Sequence, residues 1–205
     1  MMQAPNSFTM MGVKKILRFL RGTVDKGLSI HSGGELVGYV DSDWAGDTAD
    51  RKSVSGLVIG FQRSDGLFSP IVWKSKKQSC VATSSCEAEY VACSVICREV
   101  SFIRQLLMEI GWMRSDEGPT KIYCDNRAAV TIANDEVKSA RRSRYIDIRY
   151  HYARWCVREG RVTFEWIDSA SNLADLFTKS LKADVFQRLA EGVCSAEQRP
   201  SEGEC

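Results

Sequence analysis

The stretch G-Y-V-D-S-D-W-A-G-D, residues 38–47, decides how this chain of 205 residues folds. Residues 36–40, which overlap its beginning, are mostly apolar and β-prone, and this predicts a strand. Asp41 and Asp43 are two positions apart, so alternation along the strand places both carboxylates on one face. Two like charges this close are costly unless water, a cation or a basic partner meets them. The stretch therefore indicates either a solvated turn after an edge strand or part of an acidic binding site.

Apolar periodicity along the rest of the chain predicts an α/β fold with a five-stranded mixed sheet flanked by helices. Strands are expected at 36–42, 55–61, 68–74, 121–124 and 162–167. Helices are expected at 13–20, 85–110, 127–133 and 146–157, and another is expected to open at 169. The first three strands have short connections, which favour an antiparallel meander. If the first strand is central, Asp41 and Asp125 end neighbouring strands.

Composition predicts one large domain with appendages. Hydrophobic residues make up 44% of the chain and it contains four prolines, which is ordinary for a globular protein. We expect residues 1–34 to be an N-terminal helix and connector, with 1–10 disordered, residues 35–183 to be the main domain, and residues 184–205 to be an acidic tail. No apolar run reaches the roughly 18 residues that span a bilayer, and no secretory signal is recognisable. We therefore expect an intracellular monomer without a membrane partner.

Three further acids stand at the ends of predicted elements. Glu89 falls at the margin of the apolar stripe of the long helix, Asp125 follows a strand, and Asp175 lies three residues after Asn172, a plausible helix cap. The expected stripe consists of Ala88, Val91, Ala92, Val95, Ile103, Leu106, Leu107 and Ile110. Each acid alone is equally consistent with a capping or solvated side chain. If they converge with Asp41, divalent cations such as Mg²⁺ would be needed to offset their repulsion.

The charge distribution suggests a polyanionic partner. The net charge is only +2, but residues 138–161 hold eight basic residues against two acids. A solvated helix face is the alternative. The candidate phosphate contacts are Lys74, Lys76, Lys77, Arg141, Arg142 and Arg144, and the candidate 2′-hydroxyl contacts are Ser42, Ser84 and Asn126. The eight cysteines form no C-x-x-C pair, which favours free thiols over a zinc site.

Seven motifs together resemble one known family. They are G-Y-V-D-S-D-W-A-G-D (38–47), R-K-S-V-S-G (51–56), W-K-S-K-K-Q (73–78), S-S-C-E-A-E-Y (84–90), I-Y-C-D-N (122–126), I-D-I-R-Y-H (146–151) and N-L-A-D-L-F-T-K (172–179). From about residue 13 to residue 181 the chain resembles the ribonuclease H domain of the Pol polyprotein of Ty1/copia-type LTR retrotransposons. Residues 12–23 look like the piece that joins reverse transcriptase to that domain.

The resemblance implies a ribonuclease H-like fold and an endonuclease that cuts the RNA strand of RNA/DNA hybrids. It also implies two Mg²⁺ ions, with Mn²⁺ as an alternative, held by Asp41, Glu89, Asp125 and Asp175. It further implies association with a reverse transcriptase domain, and a cytoplasmic, virus-like-particle or nuclear location.

Two positions depart from the family pattern: Tyr145 stands where the family has histidine, and Cys86 stands where it has threonine. Neither position is a metal ligand in the family. The competing interpretations are a catalytically inactive nucleic-acid-binding relic of the same fold and a different nuclease, such as an integrase or exonuclease, on this scaffold.

Overall fold

The structure is a computed structural model that describes residues 6–28, 30–47, 49–134 and 151–194. Residues 30–193 form the larger of two compact units, and the smaller unit contains the N-terminal helix. Three of the predicted phosphate contacts, Arg141, Arg142 and Arg144, lie outside the described residues, as does Tyr145.

The larger unit is built on a five-stranded mixed sheet, which confirms the fold class predicted from the sequence. Its strands are β1 (Glu35–Asp43), β2 (Val54–Gln62), β3 (Phe68–Lys77), β4 (Thr120–Cys124) and β5 (Val162–Trp166). Their order across the sheet is β3-β2-β1-β4-β5. The first three strands are antiparallel, whereas β4 is parallel to both β1 and β5. The central position of β1 is the arrangement on which the predicted meeting of Asp41 and Asp125 depends.

Helices cover both faces of this sheet, which buries its apolar side chains. They are α2 (Ser85–Glu109), α3 (Arg127–Asn134), α4 (Tyr152–Arg158) and α5 (Ala183–Val193). Helix α2 packs on β1 and β2 and against α3 and α4. The other face is covered by the 3₁₀ helix Leu173–Phe177, which contacts β1 and β2, and α5 packs on that segment.

The predicted buried stripe of α2 is wrong for Leu106 and Ile110, whereas Ile103 and Leu107 near the same end are buried as predicted. Leu106 and Ile110 are 45% and 65% exposed, whereas Ile96, Cys97 and Val100 are fully buried. The periodicity identifies a helical face, but it cannot say how far along the helix the sheet and the neighbouring helices extend. Helix α2 begins as predicted, because the Ser84 side chain accepts a hydrogen bond from the Glu87 N–H.

The predicted helix from 169 onward is also wrong. The chain instead makes two 3₁₀ turns, Ser169–Ser171 and Leu173–Phe177. The side chains of Asp168 and Asn172 each accept the N–H two residues further on, and such local bonds compete with a regular helix. Helix α5 then begins one residue before the stretch 184–205 that was expected to be a tail, and it buries Leu189 and Val193.

The smaller unit contains α1 (Ser7–Gly22), which starts six residues before the predicted helix, so the disorder expected up to residue 10 is wrong for its first turn. Asn6 and Thr9 form a reciprocal capping box that fixes the start. None of the residues of α1 is buried.

Candidate active site

Asp41 and Asp125 lie at the same edge of the sheet. Val40 of β1 is paired with Cys124 of the parallel strand β4, and each is followed by an aspartate: Asp41 lies near the carboxyl end of β1, and Asp125 comes directly after β4. Asp41 is 2% exposed, whereas Asp125 is half-buried. The Asp125 carboxylate accepts a hydrogen bond from Ser169 Oγ at 2.6 Å, and the Asp125 backbone carbonyl accepts one from the Trp166 indole at 3.1 Å. These bonds fix the direction in which Asp125 points.

Asp175 reaches this edge from the opposite layer. Asn172, which is fully buried, donates from Nδ2 to the Val40 carbonyl at 3.0 Å and caps the 3₁₀ helix Leu173–Phe177 through Oδ1. One side chain therefore ties the segment to β1 immediately before Asp41. As a result, carboxylate oxygens of Asp41, Asp125 and Asp175 lie within 4.8 Å of one another.

Gly56 lets this segment lie directly on the sheet. It is the register partner of Asp41 on β2. A Cβ atom at Gly56 would come within 2.6 Å of Thr178 Cγ2 and 2.9 Å of the Ala174 carbonyl oxygen. Such distances are too short for carbon, so the glycine of the R-K-S-V-S-G motif is required by close approach.

Glu89 comes from the first turns of α2 and is only 5% exposed. Its Oε1 accepts the Ser42 N–H at 3.1 Å, and its Oε2 lies 3.8 Å from Cys124 Sγ. Ligand atoms of Glu89, Cys124 and Asp125 form a second group within 4.8 Å, so Asp125 belongs to both groups. The structure thus brings all four sequence-predicted acids to one edge, arranged as two groups that share Asp125.

Burial and mutual repulsion shape the electrostatics of the cluster. Burial, followed by the charges of Cys124, Asp41 and Asp125, raises the pKa of Glu89 to about 10. Burial also raises the pKa of Asp175 to about 6, and Asp41 and Asp125 add to this effect while Lys179 opposes it. Without a cation, Glu89 therefore carries a proton at neutral pH.

Besides Ser169 and Cys124, two further residues that touch the carboxylates were not predicted as site residues. Thr178 Oγ1 donates a hydrogen bond to Asp41 Oδ2. Lys179 Nζ lies 2.8 Å from Asp175 Oδ1 and 3.6 Å from Asp41 Oδ2, so it forms ion pairs with both aspartates. Both belong to the N-L-A-D-L-F-T-K motif, and Lys179 is four residues after Asp175, a spacing at which helical side chains meet. That spacing is the signal that could have found Lys179.

The predicted nucleic-acid contacts occupy different surroundings. Lys74, Lys76 and Lys77 border a groove of about 310 Å³ between β3 and α2, which Arg98 also lines. Lys74 is paired with Glu99, and Lys77 is paired with Asp47 and Asp50, whereas Lys76 is exposed and has no ion pair within the described ranges.

The three predicted 2′-hydroxyl contacts differ in accessibility. Ser84 Oγ and Asn126 Oδ1 each accept a helix-starting N–H, those of Glu87 and Ala129 respectively. Ser42 Oγ is buried and has no hydrogen-bond partner among the described residues.

The residues present fit a hard divalent cation. Three carboxylate side chains meet within 4.8 Å on strand and helix ends that are held by hydrogen bonds, and oxygen donors of this kind are the ligands that Mg²⁺ and Mn²⁺ prefer. Glu89 could join them after losing its proton. The arrangement can therefore bind divalent cations through its carboxylate oxygens.

Within residues 6–28, 30–47, 49–134 and 151–194, no helix combines the length and the apolar character needed to cross a bilayer.

Comparison with known proteins agrees with the resemblance that the motifs indicate. The chain is 35% identical over 193 residues to the retrovirus-related Pol polyprotein from transposon RE2 of Arabidopsis thaliana, a match that covers 93% of this chain and 13% of that protein. It is 35% identical over 180 residues to the corresponding polyprotein from transposon TNT 1-94 of Nicotiana tabacum, covering 87% and 13%. The chain therefore spans about an eighth of the length of these curated relatives. No family model matches the sequence.

Among solved structures, the similarity to LC11-RNase H1 in complex with an RNA/DNA hybrid covers 70% of this chain and 94% of that protein's chain, with a TM-score of 0.47 and 17% sequence identity. The sequence of this chain is homologous, over most of its length, to one segment of the Ty1/copia-type retrovirus-related Pol polyproteins.

Proposed function

We propose that this chain is a metal-dependent endonuclease that hydrolyses the RNA strand of RNA/DNA hybrids. The observation that carries the proposal is the meeting of the Asp41, Asp125 and Asp175 carboxylates within 4.8 Å at the carboxyl ends of two parallel strands. Homology to transposon Pol polyproteins supports a nucleic-acid substrate. Within such a polyprotein, we expect this segment to act inside the cell beside a reverse transcriptase domain.

The cations, when bound, would activate a water molecule and neutralise charge on the phosphate. Asp41, Asp125 and Asp175 would hold them, and Glu89 would contribute once it is ionised. Ser169 orients Asp125 through its hydrogen bond, and Thr178 does the same for Asp41. No histidine or cysteine nucleophile is needed, because the attacking group is water.

Basic side chains outside the acidic cluster would hold the backbone of the hybrid. Lys76 and Arg98 line the groove between β3 and α2. Their positive charges would attract phosphates without reading the sequence. Ser84 and Asn126 stand at the N-termini of α2 and α3. There they would contact 2′-hydroxyl groups, which are present in RNA and absent from DNA.

The test is a cleavage assay of the purified chain on labelled RNA/DNA, RNA/RNA and DNA/DNA duplexes with Mg²⁺ or Mn²⁺. We expect cleavage of the RNA strand in the hybrid alone, loss of that cleavage in Asp125→Asn, and retention of hybrid binding by that variant. Asp116→Asn is the matched control, because Asp116 is exposed and pairs with the exposed Arg114. Hybrid binding without cleavage by the unaltered chain would favour the inactive relic. Equal cleavage by Asp125→Asn would remove Asp125 from the mechanism.

A further inference from the structure

The Lys179 ammonium stands where a cation would meet the carboxylates. It is within 4 Å of two of the three clustered aspartates, at 2.8 Å from Asp175 Oδ1 and 3.6 Å from Asp41 Oδ2. Both carboxylates are nearly buried, since the Asp41 and Asp175 side chains are 2% and 7% exposed. Buried carboxylates need a counter-charge, and Lys179 is the basic side chain that supplies it to this pair among the described residues.

The backbone around Lys179 keeps it there. The Thr178 N–H donates to the Asp175 carbonyl at the end of the 3₁₀ helix Leu173–Phe177, and the Thr178 hydroxyl is bonded to Asp41. Residues 175–179 therefore form one turn whose carboxylate and ammonium face each other. The Lys179 side chain is 41% exposed, so its flexible stem has an open path to solvent.

From this geometry we propose that Lys179 is an internal counter-cation that competes with the divalent metal for Asp41 and Asp175. In the metal-free chain it stabilises the carboxylate pair. A divalent ion that binds the same oxygens must displace the ammonium, so Lys179 lowers the affinity of the site for metal. When no metal is bound, the ammonium offsets the repulsion between the Asp41 and Asp175 carboxylates. The part of this inference that concerns catalysis rests on the proposed nuclease function, but the competition itself does not.

The experiment compares the chelator-treated 205-residue chain with Lys179→Gln, Lys179→Arg and the control Lys182→Gln. Lys182 is exposed and three residues away, so the control removes the same charge from the same segment. Mg²⁺ affinity is measured by calorimetric titration, and stability is measured by thermal unfolding with and without Mg²⁺.

For Lys179→Gln we expect a lower unfolding temperature without metal. We also expect the dissociation constant for Mg²⁺ to be smaller by on the order of tenfold, because a unit positive charge no longer opposes the ion. Lys179→Arg and Lys182→Gln should resemble the unaltered chain in both measurements.

Unchanged or weaker Mg²⁺ binding in Lys179→Gln would overturn the proposal, and so would an equal gain in Lys182→Gln or a lack of any Mg²⁺ response in all four proteins. Failure of the proposed function is a different result. If the unaltered chain does not cleave hybrids but Lys179→Gln still gains Mg²⁺ affinity, the competition stands and the nuclease assignment falls.

Discussion

Asp41 and Asp125 are lateral neighbours on parallel strands, one residue beyond the Val40–Cys124 pair. They are separated by 84 positions in the sequence, and the hydrogen-bond register of β1 and β4 brings them together. Because both belong to the same group of clustered oxygens, they should act as one unit rather than as two independent contributions.

The first prediction is that substitutions at these two positions are not additive. Asp41→Asn and Asp125→Asn should each reduce Mg²⁺-dependent hybrid cleavage by about 10³-fold or more, and the double variant should be no worse than the poorer single one. Initial rates of RNA-strand cleavage at saturating Mg²⁺ are the measurement. Multiplication of the two single effects in the double variant would mean that the aspartates serve separate steps.

The second prediction concerns Gly56. A methyl group there meets Thr178 Cγ2 at 2.6 Å, so Gly56→Ala should lift the 174–179 segment from the sheet and carry Asp175 away from Asp41. We expect a loss of about 1–3 kcal/mol in the free energy of unfolding, together with a large loss of cleavage. Gly118→Ala is the control, since a Cβ at Gly118 meets no atom within 4 Å. Full activity of Gly56→Ala would show that the segment tolerates displacement.

The third prediction follows from the raised pKa of Glu89. A glutamate in an unfolded chain has a pKa of about 4.3, and burial raises the folded-state pKa to about 10. Folding therefore takes up a proton between these values, so stability is greatest below the unfolded pKa and is lost as pH rises towards the folded one.

Glu89→Gln should remove this dependence while keeping an acceptor for the Ser42 N–H. Without metal at pH 8, we expect the variant to be more stable than the unaltered chain by about 1–3 kcal/mol, with little difference near pH 4. Denaturant unfolding at the two pH values checks it, with the exposed Glu109→Gln as control. A destabilised variant at pH 8 would show that the ionised carboxylate supports the fold.

The parts of this fold that could be predicted are those in which local pattern determines geometry. Short loops between three β-prone runs specify a meander, and alternation placed Asp41 on one face of β1. The strand–acid–helix order around Asp125 likewise predicted its position, because parallel strands end at a common edge of the sheet.

The parts that could not be predicted depend on tertiary surroundings. The periodicity predicted that Leu106 and Ile110 belong to the core, but their side chains are 45% and 65% exposed. The contacts of Lys179 with Asp41 and of Asn172 with Val40 join residues more than 130 positions apart, and no local rule foresees them.

The fourth prediction separates the lysines around the groove. Lys76 is exposed without an acidic partner, whereas the charges of Lys74 and Lys77 are already offset by acids. Lys76→Gln should therefore weaken hybrid binding more than Lys74→Gln and should reduce the slope of log affinity against log salt by about one. Fluorescence anisotropy at several salt concentrations measures both quantities. A larger effect of Lys74→Gln would indicate that the Glu99 pair opens on binding.

The fifth prediction concerns Cys124, whose thiol lies in the same group as Glu89 and Asp125. Thiolates favour Zn²⁺ and Cd²⁺ over Mg²⁺, so these metals should inhibit cleavage at concentrations far below that of Mg²⁺. The hydrogen bond with Cys93 and then burial raise the pKa of the Cys124 thiol, so a metal must displace a proton and inhibition should strengthen as pH rises.

Cys124→Ser should relieve this inhibition and abolish the thiolate-to-Cd²⁺ charge-transfer absorption, while Cys80→Ser should leave both unchanged. The absorption reports binding even if the chain does not cleave hybrids, which separates the thiol from the nuclease assignment. Equal inhibition of Cys124→Ser would mean that Zn²⁺ and Cd²⁺ act through the carboxylates alone. That outcome would leave Cys124 as a packing residue beside Glu89, and the hard oxygen cluster as the part of this edge that binds cations.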